Sequence, residues 1–394
     1  MVAPLLIRRV SPGNLANAEE SPCAPEPPRP SLQRVQRLEG AMTSARRITW
    51  ATFAGSSAHP MGLQHYEIQV LAALGELAPE AWSFDTRTVD SLRSSSRPDA
   101  RLPRRALAHA TPGLAVAAGT WAYRGAQLVH RFDLRLPPAR VPEVLTIHDL
   151  PPLRFGDEGQ LPAWARKTAR RARLVITPSE FAAAEVRDLL GIDRVAVVPN
   201  GIAAEYRNAT ALSPDELGRL GVPAKYILHV GGATARKNLS ALGEAWRLLA
   251  PSLHDVSLLL VGPPDPRRDA AVAGSPRVVK AGYRSSAVVA RLMAGALVVV
   301  VPSVYEGFGL PAIEAMAVGT PVVAADAGAL PEVCGDAALL TAPDPEALAA
   351  ALRQAVCDGD LRAHLHAAGL ARSGRFTWEA TARGHLAAYE MAFG

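Results

Sequence analysis

Cysteine is scarce in this sequence: Cys23, Cys334 and Cys357 are three residues in a chain of 394. Far apart and odd in number, they exclude a disulfide scaffold and a zinc ribbon, and they fit a reducing compartment. Long apolar runs are missing too. The longest, around residues 296–301, falls well short of the roughly 18–20 residues that a membrane-spanning helix needs. Lysine is nearly absent: only Lys167, Lys225, Lys237 and Lys280 stand among 42 basic residues. With the abundant alanine this reads as coding bias. The net charge of +5 and pI of about 9.3 therefore argue for a solvated arginine-rich surface rather than for nucleic acid. The sequence also lacks the basic–aromatic interleaving that grips single strands.

What is present is length and apolar content, 49% hydrophobic, enough for full cores without staples. Residues 1–45 stand apart. They hold seven prolines and little periodicity, so they are expected to be a disordered tail or a mis-called start, with Met42 as the alternative. The apolar patch before Arg8 and Arg9 has the reverse order of a secretory signal.

From Arg46 onward, short apolar runs alternate with amphipathic stretches. Strand-like runs fall at 48–53, 127–130, 143–147, 174–176 and 195–198, then at 226–230, 257–261, 278–279, 297–301, 322–324 and 338–340. Helical patterns include 63–77, 180–190, 239–249 and 345–356. Continuous apolar strands alternating with helices imply parallel sheets covered on both faces. Two series imply an α/β chain of two doubly wound, Rossmann-like domains, 46–205 and 218–375. A (β/α)8 barrel fits less well, because Pro199-Asn200-Gly201 and the polar stretch after it break the series.

Ligands of open α/β sheets bind beyond the carboxyl ends of strands. There the richest segment is Val301-Pro-Ser-Val-Tyr-Glu-Gly-Phe-Gly-Leu-Pro-Ala-Ile-Glu. Gly307 and Gly309 allow close backbone approach. The amides of Phe308, Gly309 and Leu310 open a helix and suit a phosphate. Glu306 and Glu314 suit sugar and ribose hydroxyls; read as simple first-turn acids, they would only complement the helix dipole. Arg236 and Lys237 follow a Gly-Gly turn after a strand, where fixed cations would stabilise a leaving diphosphate. His148 ends another strand, with Asp149 beside it in an open role.

Five segments in order resemble the retaining glycosyltransferases of family 4, of the mannosyltransferase-like group. They are Thr146-Ile-His-Asp-Leu, Thr177-Pro-Ser-Glu-Phe with Val197-Val-Pro-Asn-Gly-Ile, Leu228-His-Val-Gly-Gly-Ala-Thr-Ala-Arg-Lys-Asn-Leu, the E-x7-E stretch from Glu306 to Glu314, and Phe376-Thr-Trp-Glu. The resemblance implies the GT-B fold, two domains facing a cleft, with residues 376–394 as a helix crossing back to the first. It implies a retaining transfer of a hexosyl unit from a nucleotide diphosphate sugar to a glycan, lipid-linked or small-molecule acceptor. Glu314 would bind the ribose, Glu306 the transferred sugar, and Arg236 and Lys237 the diphosphate. Phe308, Gly309 and Leu310 would offer amides. His148 would lie beside the sugar, Gly62 beside the diphosphate, and Tyr283 and Arg284 near the base. His59 and His65 are further candidates for substrate contact. Gly232 stands where many members have arginine, and Met61 where many have glycine.

The resemblance implies no cofactor and no catalytic metal. Asp358-Gly-Asp360 reads as a turn between helices. The alternatives are a nucleotide-sugar epimerase on the same fold and a non-catalytic nucleotide-sugar-binding protein. The basic stretch Trp164, Arg166, Lys167, Arg170, Arg171 and Arg173 reads as a solvated helix face, or as a peripheral membrane contact. The expected location is cytoplasmic, including the inner face of the plasma membrane. Residues 93–105 are expected to be a loop over the acceptor side.

Overall fold

The computed structural model describes residues 46–54 and 62–394. The tail 1–45 and the first-loop residues 55–61, with His59, lie outside the described residues.

Two all-parallel sheets carry the chain. The first holds β1 (Arg46–Phe53), β2 (Trp82–Ser91), β3 (Ala100–Leu102), β4 (Leu128–Arg131), β5 (Glu143–Thr146), β6 (Leu174–Thr177) and β7 (Val195–Val197), in the order β3-β2-β1-β4-β5-β6-β7. The second holds β8 (Tyr226–Val230), β9 (Ser257–Val261), β10 (Val278–Gly282), β11 (Val298–Val301), β12 (Val322–Ala325) and β13 (Leu339–Thr341), in the order β10-β9-β8-β11-β12-β13. Both orders reverse beside their first strand, the mark of a doubly wound sheet.

The apolar strands form where expected because both faces are covered. All four residues of β11 and of β12 are buried. Side chains from opposite faces of the second sheet fall into separate cores, Leu228, Leu259 and Val299 in one, Ile227, Leu258 and Val298 in the other. Local signals set the helix ends. In helix Glu180–Leu190, Ser179 accepts the Ala182 amide and Gly191, at φ 65°, closes the end.

Two features depart from the sequence reading. Strand β2 is half-buried, with Asp85, Thr86 and Arg87 among its residues, so it lacks an apolar run. Residues 93–105 are not one loop: they contain β3 and the start of helix Arg104–Ala108.

Two short segments link the halves. Val198 packs in the first core, whereas Ile202, Ala203 and Tyr206 pack in the second, so the crossing precedes the expected boundary at 205. The chain returns where Phe376 packs in the second core and helix Trp378–Phe393 lays Ala382, Ala388 and Tyr389 into the first. The segments touch: the Ile202 amide donates to the Phe376 carbonyl at 3.1 Å, and Thr381 Oγ1 to Pro199 O at 2.8 Å. Gly201 packs so closely on Trp378 that no Cβ fits there.

Candidate active site

The second sheet reverses between β8 and β11, and the loops after these two strands carry the candidate residues. Gly231 leaves β8, and a 3-10 turn, Ala235–Lys237, follows. It ends on Asn238 at φ 54°, a left-handed position that asparagine tolerates. The Asn238 amide donates to Pro302 O at 3.1 Å and Pro343 O at 2.8 Å, and the Val304 amide donates to Arg236 O at 2.9 Å. The two loops are thereby fixed to each other.

That fixing brings three expected residues together. Glu306, 6% exposed, accepts from Lys237 Nζ at 2.6 Å and from Arg236 Nη1 at 3.1 Å. Burial pushes the Glu306 carboxyl pKa up, but Lys237 and Arg236 more than offset it and hold the group below its ordinary value. Arg236 also donates Nε to Glu158 at 2.7 Å and lies 3.9 Å from Asp149. Burial raises the Asp149 pKa despite Arg236.

The first half closes over this cluster. Tyr305, 5% exposed, accepts the Leu150 amide at 2.9 Å and donates to Glu185 at 3.2 Å. Its ring meets Phe155 and Phe181 edge-on. Ser179 Oγ donates to Gly307 O at 2.6 Å. A Cβ on Gly307 would run into the His148 carbonyl. Asp157 accepts the Ala235 amide at 2.8 Å and Arg267 Nη1 at 2.7 Å. These contacts set His148 opposite the Glu306 loop.

His148 rests edge-on against Tyr66, ring centroids 4.3 Å apart, and its Nε2 is buried with no hydrogen-bond partner among the described residues. Burial, with His385 adding to it, lowers its pKa to about 4, so the ring is neutral near pH 7. Tyr66 lies in helix Gly62–Leu77, which Gly62 opens, and its hydroxyl pairs with His385 of the returning helix at 2.9 Å.

Glu314 keeps different company from Glu306. It is hydrogen-bonded to Tyr206, and Glu205 adds like charge. Burial raises its pKa to about 7, only partly offset by Tyr206. Tyr283 lies close enough to Tyr206 to raise its pKa further, and His65 lies 3.8 Å from Glu205. Arg284 donates to Tyr283 O at 2.9 Å, just past β10. Gly309, at φ 92°, turns the chain into helix Leu310–Ala317, with Phe308 buried against Phe376. Glu314 thus keeps the company of phenols within helix Leu310–Ala317, and Glu306 that of cations in the loop before it.

Sequence reasoning missed Tyr206, Tyr305, Asp157, Glu158 and Arg267. Each acts through a partner far along the chain, and only the Asp-Glu pair after Gly156 was a local signal. In the basic stretch Arg166, Lys167, Arg170, Arg171 and Arg173 are exposed, as a solvated face requires, and only Trp164 needs correction. Trp164 is 1% exposed and donates its indole N–H to Leu107 O at 2.8 Å, so it is a core residue. Arg166 and Arg170 donate to Leu189 O and Leu190 O and cap the end of helix Glu180–Leu190. Asp358 caps helix Gly359–Ser373 through the Leu361 amide, and no group of three metal-ligating side chains occurs among the described residues.

Two doubly wound domains facing across a cleft, with a carboxylate–cation cluster at the switch point of the second, define the GT-B class. Comparisons with known proteins agree. Residues 64–206 match the family described as Glycosyltransferase Family 4, and residues 224–358 match Glycosyl transferases group 1. The chain is 31% identical over 286 residues to the MMP alpha-(1->4)-mannosyltransferase of Mycolicibacterium hassiacum, covering 66% of this chain and 67% of that protein. It is 32% identical over 237 residues to the O-antigen chain mannosyltransferase B of Escherichia coli, covering 56% and 61%. A sucrose-phosphate synthase structure from Thermosynechococcus elongatus superposes with TM-score 0.71 at 25% identity, over 88% of this chain and 99% of that one. A glycosyltransferase from Rickettsia africae shares the fold at TM-score 0.62 and 18% identity, over 89% and 99%. The chain belongs to glycosyltransferase family 4. It spans 61% and 63% of the length of two curated relatives that it matches, the second an alpha-maltose-1-phosphate synthase of Mycolicibacterium smegmatis.

Proposed function

We propose that the chain transfers a hexosyl unit, with retention, from a nucleotide diphosphate sugar to a glycan, lipid-linked or small-molecule acceptor. The observation that carries this is Glu306 held at 2.6 Å by Lys237 and at 3.1 Å by Arg236, opposite His148. As the glycosidic bond breaks, the diphosphate gains negative charge, so fixed cations lower the transition state more than the ground state. Glu306 keeps those cations aimed and accepts sugar hydroxyls. Ionised Glu314 accepts the two ribose hydroxyls, Tyr283 and Arg284 flank the base, and the amides of Phe308, Gly309 and Leu310 face the diphosphate with Gly62 opposite. His148, kept neutral, meets a sugar hydroxyl, and the closed cleft limits hydrolysis of the donor. No protein nucleophile is assigned, so attack on the face of departure is the route that retention requires. The nucleotide diphosphate sugar serves as co-substrate, and the proposed chemistry uses the protein's cations with no cofactor.

Two relatives are named mannosyltransferases, which makes mannose the first sugar to test. The proposed place of action is the cytoplasmic side, with a peripheral membrane contact. Incubating the protein with UDP-, GDP-, TDP- and ADP-sugars and an acceptor panel, then reading products by NMR, tests the reaction. An α-linked product from an α-linked donor is expected. A donor converted to its epimer, or one left intact, would contradict transfer.

A further inference from the structure

The sequence drew attention to one tryptophan, and the structure exposes another. On helix Pro112–Ala122, Leu114 is 63% exposed and Trp121 52% exposed, with Ala117 exposed between them on the same helical face. Helices Arg104–Ala108, Pro112–Ala122 and Ala165–Ala169 share one side of the first sheet, where Leu107, Ala115, Trp164 and Ala169 pack over Leu145. The Ala163 amide bonds to Ala108 O at 3.0 Å and ties the first and third of these together.

These three helices carry charge of one sign, and the neighbouring helix Glu180–Leu190 exposes Glu180 and Asp188. Residues 100–132 and 159–179 contain no Asp or Glu. Arg105, Arg124, Lys167, Arg171 and Arg173 are exposed, and none has a carboxylate partner among the described residues. The Arg124 guanidinium lies 5.9 Å from the Trp121 ring centroid. Exposed aromatic and aliphatic side chains on a face shared with unpaired cations fit a surface that is anionic outside and apolar beneath. Cations gather at an anionic leaflet, and an indole settles at the level of the headgroups.

We infer that this face docks on an anionic lipid bilayer, with Trp121 and Leu114 entering the interface and Lys167, Arg171 and Arg124 meeting the headgroups. The inference gives the proposed membrane contact a surface, and it stands apart from the sugar transfer, because docking needs neither donor nor acceptor.

The test is co-sedimentation of the full chain with phosphatidylcholine vesicles and with vesicles that also contain phosphatidylglycerol. The expected result is affinity for the anionic vesicles roughly tenfold or more above the neutral ones, falling as salt rises. Trp121→Ala with Leu114→Ser, and separately Lys167→Glu with Arg171→Glu, should each lower that affinity about tenfold while the melting temperature and donor binding stay unchanged. Equal weak binding to both vesicles overturns the inference. So does salt-dependent binding that ignores the Trp121 and Leu114 changes, which would mark a general polyanion surface. Self-association that Trp121→Ala abolishes would also overturn it, by making a second copy the occupant. A failure of the transfer assays leaves these readings untouched.

Discussion

Tyr305 accepts the amide hydrogen of Leu150 across the cleft at 2.9 Å. The contact joins the residue before Glu306 to the residue two beyond His148. Each half thus supplies one side of the candidate site, and a buried phenol sets the spacing between them.

Tyr305→Phe removes that acceptor and leaves a buried N–H unpaired, at a cost of about 1–3 kcal/mol. The expected outcome is turnover reduced about tenfold, with donor affinity nearly kept because Arg236, Lys237 and Glu314 are untouched. Steady-state kinetics beside donor calorimetry separate the two. Equal turnover in the variant would remove Tyr305 from the coupling of the halves.

Gly307→Ala puts a methyl group into the His148 carbonyl. The halves then meet with the loop displaced. A 1 Å misplacement can cost on the order of 100-fold in rate, so a loss of that size is expected, with each half still folded. Far-ultraviolet circular dichroism and single-turnover kinetics check it.

Glu314 has a pKa raised to about 7 from 4.5, mainly by burial. Its raised value means that the fold gains from the protonated form, fully below pH 4.5, and loses that gain as pH rises through about 7. In the proposed role donor binding has the opposite sign, because only a carboxylate can accept from both ribose hydroxyls. Donor affinity should therefore tighten from pH 6 to 8, by roughly the tenfold that a single ionisation across that window allows. In Glu314→Gln the affinity should be weak and flat with pH. A wild-type profile as flat as the variant's would separate Glu314 from the ribose.

His130 and His385 are buried, and His148 is half-buried. Burial lowers His148 and His385 to about 4 and His130 well below its ordinary 6.5. Depressed values mean that their contribution to stability is present above pH 6.5 and is lost as pH falls through about 4. The melting temperature should drop steeply between these limits. Tyr66→Phe, which removes the hydroxyl partner of His385, should lower stability by about 1 kcal/mol at neutral pH.

Much of the fold was legible because buried parallel strands are written as continuous apolar runs, as in residues 257–261 and 298–301. Strand β2 was not, since Asp85, Arg87 and Asp90 interrupt any apolar run in it. In the site, Glu306, Arg236 and Lys237 were legible because two loops flank one switch point, and glycines and charges cluster in them. Tyr305, Glu158 and Asp157 were not, since each acts through a partner in the other half. Trp164 and Trp121 show the same limit: both sit near arginines in the sequence, and only packing decides which one is exposed.

The central measurement is calorimetric titration of the sugar nucleotide that stabilises the wild-type protein most, repeated on Lys237→Ala and Glu314→Ala. With one diphosphate-bearing nucleotide held between these residues, Glu314→Ala should lose most of the affinity. Lys237→Ala should keep most of it while turnover falls about 100-fold, the scale for removing one charge stabiliser of a transition state. Unchanged affinity in Glu314→Ala together with unchanged turnover in Lys237→Ala would contradict the site.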